Sequence, residues 1–145
     1  MADPTSGTKH LPKIKIFVSH GKADAWVATQ IAKRISDCGA TPFLDETDIA
    51  KGDDFKRIIH TQIAECTELV ALFTPWSINR FWVWIEVGAA WGQSKRIIAV
   101  LYGVTAADLE QLGGSKAILE DINLVPLNDL DSYFVELSQR YGHAE

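Results

Sequence analysis

The feature that most constrains the fold is a regular alternation of short β-branched-rich runs with longer amphipathic stretches. Five runs have the composition of buried strands: Lys13–Ser19, Thr41–Asp45, Glu68–Thr74, Arg96–Tyr102 and Ile122–Leu127. The segments between them show helical spacing, as in Val27, Ile31 and Ile35 at i, i+4 and i+8. This alternation predicts a parallel sheet with right-handed crossovers and helices on both faces.

The helix boundaries are marked by capping residues. Asp24 is expected to cap a helix that runs to Cys38 and ends at Gly39 in the left-handed conformation. The other predicted helices begin at Asp53 or Asp54, at Phe81, at Ala106 and at Asn128 or Asp129, and 113–121 is expected to be a loose stretch.

Five strands in this pattern predict an α/β three-layer sandwich of the flavodoxin-like type, with strand order 2-1-3-4-5. In that order strands 1 and 3 meet at the topological switch point, and ligands bind beyond the carboxyl ends of the strands. The segments that follow Ser19 and Thr74 are therefore expected to line the functional site.

Length and an apolar fraction of 47% indicate one domain at 13–145, and the polar segment 1–12 is expected to be a disordered leader. The net charge of −5 without a basic cluster argues against nucleic acid as a partner. The N-terminus lacks a signal-peptide core, and no apolar run reaches the roughly 20 residues of a membrane span, so a cytoplasmic protein without membrane contact is expected. Cys38 and Cys66 form neither a disulfide framework nor a metal cluster, and we expect no metal site.

Glu86 is the single charge in the apolar helix that follows the third strand, Phe81 to Trp91. Burying an ionised carboxylate without a partner has a high free-energy cost, so the presence of Glu86 in this helix needs an explanation. Two interpretations stay open at this level. Glu86 is either a functional acid near the switch point, or a structural residue that pairs with Arg80 or Arg96 or points to solvent.

Three segments, taken in order, resemble a bacterial Toll/interleukin-1 receptor (TIR) domain. Lys15 to His20 resembles the first family box, Asp45 to Gly52 resembles the loop after the second strand, and Thr74-Pro75 through Trp82 to Glu86 resembles the turn that leads to Trp-Cys-x-x-Glu. The chain departs from the pattern with Val83 in place of the Cys, Arg80 in place of a Ser, and Lys51 where Pro is common.

The resemblance implies that Glu86 is a catalytic residue that cleaves NAD+ between nicotinamide and ribose. Glycosidases ordinarily use two carboxyl groups because the leaving group needs a proton. Nicotinamide leaves as a neutral base, so one carboxylate that stabilises an oxocarbenium-like transition state is sufficient. NAD+ is then a substrate, and no bound cofactor is expected. The single Gly21 after strand 1 also lacks the dinucleotide fingerprint.

Further substrate-binding candidates follow from their place in the topology. Phe17, Ser19 and His20 end strand 1, although His20 is equally well explained by a hydrogen bond to backbone. The basic residues Lys22, Lys51 and Arg80 are candidates for the diphosphate, with solvated surface as the competing explanation for each. Trp82 is a candidate for stacking on the ligand, and core packing is its alternative. Trp84 and Trp91, seven positions apart on the same helix, are expected to pack in the core.

Two other functions remain under consideration. One is a non-catalytic scaffold that self-associates head-to-tail through the loop Glu46 to Gly52, a contact type that can form open filaments. The other is a nucleoside deoxyribosyltransferase-like enzyme, which also uses a Glu against an N-glycosidic bond. By family analogy, the product of NAD+ cleavage would signal to a downstream effector in bacterial antiphage defence.

Overall fold

A computed structural model of the chain describes residues 14–44, 54–112 and 116–142. The predicted leader and the loop Glu46 to Gly52, with Lys51, lie outside the described residues. Within the described ranges, no helix is long and apolar enough to cross a bilayer.

Five parallel strands form one sheet in the order β2-β1-β3-β4-β5, which confirms the predicted topology. The strands are β1 Lys15–Ser19, β2 Thr41–Leu44, β3 Glu68–Phe73, β4 Arg96–Leu101 and β5 Asn123–Pro126. The helices are α1 Ala25–Asp37, α2 Asp54–Glu65, α3 Phe81–Gly92, α4 Ala106–Glu110, α5 Lys116–Leu119 and α6 Leu130–Tyr141. Short 3-10 turns at Lys22–Asp24 and Leu127–Asp129 lead into α1 and α6.

Alternate side chains of the central strands enter two separate cores, because successive strand residues point to opposite faces. Phe17, Leu69 and Phe73 pack on one face with residues of α2 and α3. Ile16, Val70 and Leu72 pack on the other face with residues of α1 and α6. Burial on both faces explains why β3 is apolar along almost its whole length.

Local details differ from the sequence predictions in two places and agree with them at Gly39. The stretch 113–121 contains the short helix α5, because Ile118 and Leu119 pack against the core. Trp91, interpreted as a core residue, is 40% exposed and its indole N–H donates to Asp121. Gly39 does adopt the predicted left-handed conformation, with φ of 99°. Both cysteines are buried, and burial raises the pKa of the Cys66 thiol.

Glu68 closes the amino edge of the sheet at the first residue of β3. Its side chain is 1% exposed and accepts hydrogen bonds from the Tyr133 hydroxyl at 3.0 Å and from Arg140 Nη1 at 3.1 Å. The Tyr141 hydroxyl at 3.4 Å and Arg96 Nε at 4.0 Å complete its surroundings among the described residues. These contacts tie α6 to the strands, so Glu68 has a structural role.

Candidate functional site

The carboxyl ends of β1 and β3 lie side by side, as the strand order requires. β1 ends at Ser19, whose register partner in β3 is Ala71. The Ser19 hydroxyl donates a hydrogen bond of 2.5 Å to Oε1 of Glu86. Ser19 is 0% exposed and Glu86 is 1% exposed, so the contact is sealed from solvent in this conformation.

Glu86 lies on the buried face of α3. The buried residues of this helix are Val83, Glu86, Val87 and Ala90, a spacing of three, four and seven that forms one stripe. The stripe faces the sheet, and the helix therefore carries its one carboxylate toward the end of β1. The sequence singles out Glu86 as the one charge of this helix, but only the packing shows that its carboxylate contacts the end of β1.

The two arginines that the sequence offered as structural partners of Glu86 are engaged elsewhere. Arg96 donates to both carboxylate oxygens of Glu136 at 3.0 Å. Arg80 is exposed, and its Nε donates to the backbone carbonyl of Trp76 at 3.3 Å. Of the two structural interpretations, pointing to solvent is wrong, because Glu86 is buried.

A second buried network joins the β1–α1 turn to the β3–α3 turn. The Thr74 hydroxyl donates to Asp24 Oδ2 at 2.7 Å, and both residues are buried. The same hydroxyl oxygen accepts from the backbone N–H groups of Trp76 and Ser77, each at 3.1 Å. The Ser77 hydroxyl donates to the carbonyl of Leu72 at 3.0 Å. The two turns that border Glu86 are therefore held rigidly together.

This network corrects the role predicted for Asp24. Asp24 does precede α1, but its carboxylate makes no side-chain capping bond. A buried carboxylate takes the strongest donor within reach, and here that donor is the Thr74 hydroxyl across the switch point. The sequence signal that could have revealed it was the Thr-Pro-x-Ser turn, whose hydroxyls commonly bond nearby backbone.

The predicted substrate-binding residues occupy different environments. The Phe17 ring is 1% exposed and packs in the core, 5.4 Å from the ring of Phe43. His20 is half-buried, and its Nδ1 lies 3.2 Å from the carbonyl of Val18, which is the backbone hydrogen bond weighed as its alternative. Lys22 is exposed at the start of the turn before α1, and Trp82 is half-buried against the core.

Several aromatic side chains outside the predicted site are exposed around the carboxyl edge of the sheet. Trp76 in the turn after β3 is 61% exposed, and Trp26 in the first turn of α1 is 73% exposed. Tyr102, directly after β4, is 45% exposed. Trp84 is different, since its ring packs on Phe73 with centroids 4.7 Å apart and its N–H donates to the Ile78 carbonyl.

A cleft of about 500 Å³ opens elsewhere on the surface. Its lining residues come from α4, α5 and β5, and they are Ala106, Glu110, Leu119, Glu120 and Leu124. Because Glu86 is not among them, we place the candidate site at the switch point and not in the cleft. In the part of the chain that the structure describes, no group of three or more His, Cys, Asp or Glu is arranged to hold a metal ion.

The arrangement at the switch point offers one kind of chemistry. Glu86 is an acidic group in apolar surroundings, and electrostatic stabilisation of a nearby cationic centre is stronger in such surroundings than in water. The neighbouring hydroxyl orients this carboxyl group. The pattern suits a reaction in which positive charge develops on the substrate.

Comparisons with known proteins agree with this architecture. A family model described as "TIR domain" matches residues 16–138. A relative from Brachypodium distachyon, named as a probable 2' cyclic ADP-D-ribose synthase, is 28% identical over 99 residues, which cover 67% of this chain. The chain matches 44% of that relative's length.

Two solved structures share the fold. A metazoan TIR-STING receptor from C. gigas, in complex with 2',3'-cGAMP, has a TM-score of 0.64 at 18% identity over 88% of this chain and 40% of its own. The TIR domains of the activated Roq1 resistosome have a TM-score of 0.56 at 15% identity, over 92% of this chain and 86% of that one. With a family model that spans most of its length and a sheet of matching topology, the chain belongs to the TIR domain family.

Proposed function

We propose that this protein cleaves NAD+ at the bond between nicotinamide and ribose, with Glu86 as the catalytic residue. The observation that carries the proposal is the buried carboxylate of Glu86 at the end of β1, held by Ser19 on a TIR fold. The relative from Brachypodium distachyon supports the choice of NAD+ chemistry, because its name describes a cyclic ADP-ribose product.

The chemistry needs little more than this carboxylate. When the C1′–N bond breaks, its electron pair leaves with the nicotinamide ring, which changes from a cation to a neutral base. Positive charge then develops on the ribosyl C1′ and its ring oxygen. The Glu86 carboxylate stabilises this charge, and because the leaving group needs no proton, a second carboxyl group is unnecessary.

The nucleophile that attacks C1′ decides the product. Water gives ADP-ribose and releases one proton. A hydroxyl of the same molecule gives a cyclic ADP-ribose and also releases one proton. A separate acceptor gives an ADP-ribose conjugate. The name of the plant relative favours the cyclic product. We propose that this product signals to a downstream effector, as in antiphage defence.

Substrate binding is assigned to groups at the same edge of the sheet. Lys22 and Arg80 are exposed cations that suit the diphosphate, and Lys51 is retained as a third candidate from the sequence. The half-buried Trp82 lies one helical turn before Glu86, where its ring can border the nicotinamide or ribose.

The test is a nicotinamide-release assay on the wild type and on Glu86→Gln. The amide keeps the side-chain shape and can still accept from Ser19, so only the charge is lost. We expect kcat to fall by at least about 100-fold, the usual cost of losing one electrostatic stabiliser. Glu65→Gln is the matched control, because Glu65 is exposed and pairs with Lys15 away from the site.

Mass spectrometry of the products separates ADP-ribose, cyclic isomers and conjugates. Deoxynucleosides assayed in parallel test the deoxyribosyltransferase-like alternative. Full turnover by Glu86→Gln, or cleavage of deoxynucleosides in preference to NAD+, would remove NAD+ cleavage at Glu86 as the function.

We also propose that the domain self-associates, through the loop Glu46 to Gly52 as the family resemblance implies. The exposed indoles of Trp26 and Trp76 support a contact surface at the same edge of the sheet. Light scattering with and without NAD+ tests assembly. A monomer at all concentrations, with unchanged NAD+ cleavage, would contradict it.

A further inference from the structure

Ser19 was a substrate-binding candidate from its place at the end of β1, but its surroundings indicate a different role. The residue is 0% exposed, and its one hydroxyl proton is directed at Oε1 of Glu86. A hydroxyl whose proton is already donated to Glu86 is poorly suited to donate to a nucleotide. We infer that Ser19 is a positioning residue, which acts on the reaction only through Glu86. The inference rests on the proposed function.

The backbone beneath Ser19 makes it a rigid support. β1 is a central strand, paired with β2 on one side and with β3 on the other. Its register partner in β3 is Ala71, a fully buried residue of the core. Rigid strands hold a functional group more accurately than loops do.

Glu86, in contrast, reaches the site through a flexible side chain. Three rotatable bonds separate its carboxylate from the α3 backbone, and the hydrogen bond from Ser19 fixes one carboxylate oxygen. A held oxygen restricts rotation of the terminal bond of the side chain and so limits the orientations of the planar group. Misplacement of a catalytic group by about 1 Å can cost on the order of 100-fold in rate.

The chain contains a matched contact that supplies the control. The Tyr133 hydroxyl also donates to a buried carboxylate, Oε1 of Glu68 at 3.0 Å, at the opposite edge of the sheet. Tyr133→Phe removes one buried hydroxyl-to-carboxylate hydrogen bond, as Ser19→Ala does. A general effect of such a loss on folding would appear in both Ser19→Ala and Tyr133→Phe. An effect on the reaction would appear in Ser19→Ala alone.

The experiment is a double-mutant cycle in the full chain, with kcat and KM for NAD+ measured for Ser19→Ala, Glu86→Gln and the double variant. We expect Ser19→Ala to lower kcat by about 10- to 100-fold, the value of a hydrogen bond to a charged group, with KM within about twofold. In the Glu86→Gln background the same change should have little further effect, because its target is already disabled. Tyr133→Phe should keep the wild-type kcat.

A second measurement does not depend on turnover. In protein carrying ¹³C-labelled glutamate, the side-chain carboxyl signal of Glu86 is identified by its loss in Glu86→Gln. It should move in Ser19→Ala and stay in place in Tyr133→Phe. The positioning role would be overturned if the Glu86 signal did not move in Ser19→Ala, or if the kcat of Ser19→Ala were unchanged. It would also be overturned if Ser19→Ala lowered kcat equally in the wild-type and Glu86→Gln backgrounds. If the wild type releases no nicotinamide but the signal moves as expected, the contact stands and the proposed function fails.

Discussion

Two buried glutamates stand at opposite edges of the same sheet, and their surroundings differ. Glu68, at the amino end of β3, is met by two guanidinium groups and two tyrosine hydroxyls. Glu86, at the carboxyl edge, receives a hydrogen bond from the neutral hydroxyl of Ser19. Both are 1% exposed, so burial alone does not separate structure from function. The donors described for the two carboxylates differ, since Glu68 has charged donors and Glu86 has a neutral hydroxyl donor.

The difference has a physical reason. Cations around Glu68 neutralise its charge and fasten α6 to the sheet. Little electrostatic field from Glu68 then remains to act on a ligand. A hydroxyl donor orients a carboxylate and does not itself cancel the carboxylate charge, which is the property that the proposed role of Glu86 uses. We therefore expect Glu68 to act on stability and Glu86 to act on the proposed reaction.

The strongest test of this comparison makes the same change at both edges. Glu68→Gln should lower the free energy of unfolding by about 2 kcal/mol, somewhat below the usual cost of breaking a buried ion pair because both arginines are partly exposed. Its kcat per folded molecule should match the wild type. Urea denaturation and the NAD+ assay check both values.

Glu86→Gln should give the opposite result, with activity lost and stability little changed. If Glu68→Gln impaired turnover while leaving stability intact, or if both variants had the same pair of effects, the distinction between the two edges would be wrong.

Alkaline pH should lower the stability that comes from the contacts at the amino edge of the sheet. Burial and the adjacent Glu68 carboxylate raise the pKa of Tyr133 and also that of Tyr141. The folded state then holds the phenolic protons more tightly than the unfolded chain. The resulting stabilisation is complete below about pH 10 and is lost as the pH rises above it, by up to about 1.4 kcal/mol per pH unit for Tyr133.

Urea midpoints between about pH 9 and pH 11 measure this loss. Tyr133→Phe should show a shallower decline than the wild type, because one titrating group is gone. Tyr102→Phe is the control, since Tyr102 is exposed at the other edge. An identical slope in all three proteins would exclude Tyr133 as the group that titrates.

The smallest effect is expected at the exposed cation beside the site. Arg80→Ala should change the free energy of unfolding by less than about 0.5 kcal/mol, as is usual for a surface substitution. If its guanidinium contacts the diphosphate, KM for NAD+ should rise by about 3- to 10-fold, the value of one exposed charge contact. Arg34→Ala is the control, because Arg34 pairs with Asp131 near the end of α1. An unchanged KM would remove Arg80 from the binding site.

Much of the fold could be predicted because its signals are local. The period of the apolar residues marked the strands and the long helices, and Gly39 marked the end of α1. The errors concern contacts between distant segments. Asp24 has the residue type of a helix cap, but its carboxylate bonds to Thr74, 50 positions away. Trp91 has core spacing on α3, but its side chain lies at the surface and bonds to Asp121.

The sequence by itself determined the strand order and the membership of Glu86 in an apolar helix, and its family resemblance is the source of the proposed reaction. Only the tertiary structure decided the partners of the buried groups: Ser19 with Glu86, Asp24 with Thr74, and Glu68 with the arginines and tyrosines of the amino edge. The reason is physical. Periodicity is a property of neighbouring residues, whereas a hydrogen bond across a sheet depends on register and packing that no short segment contains.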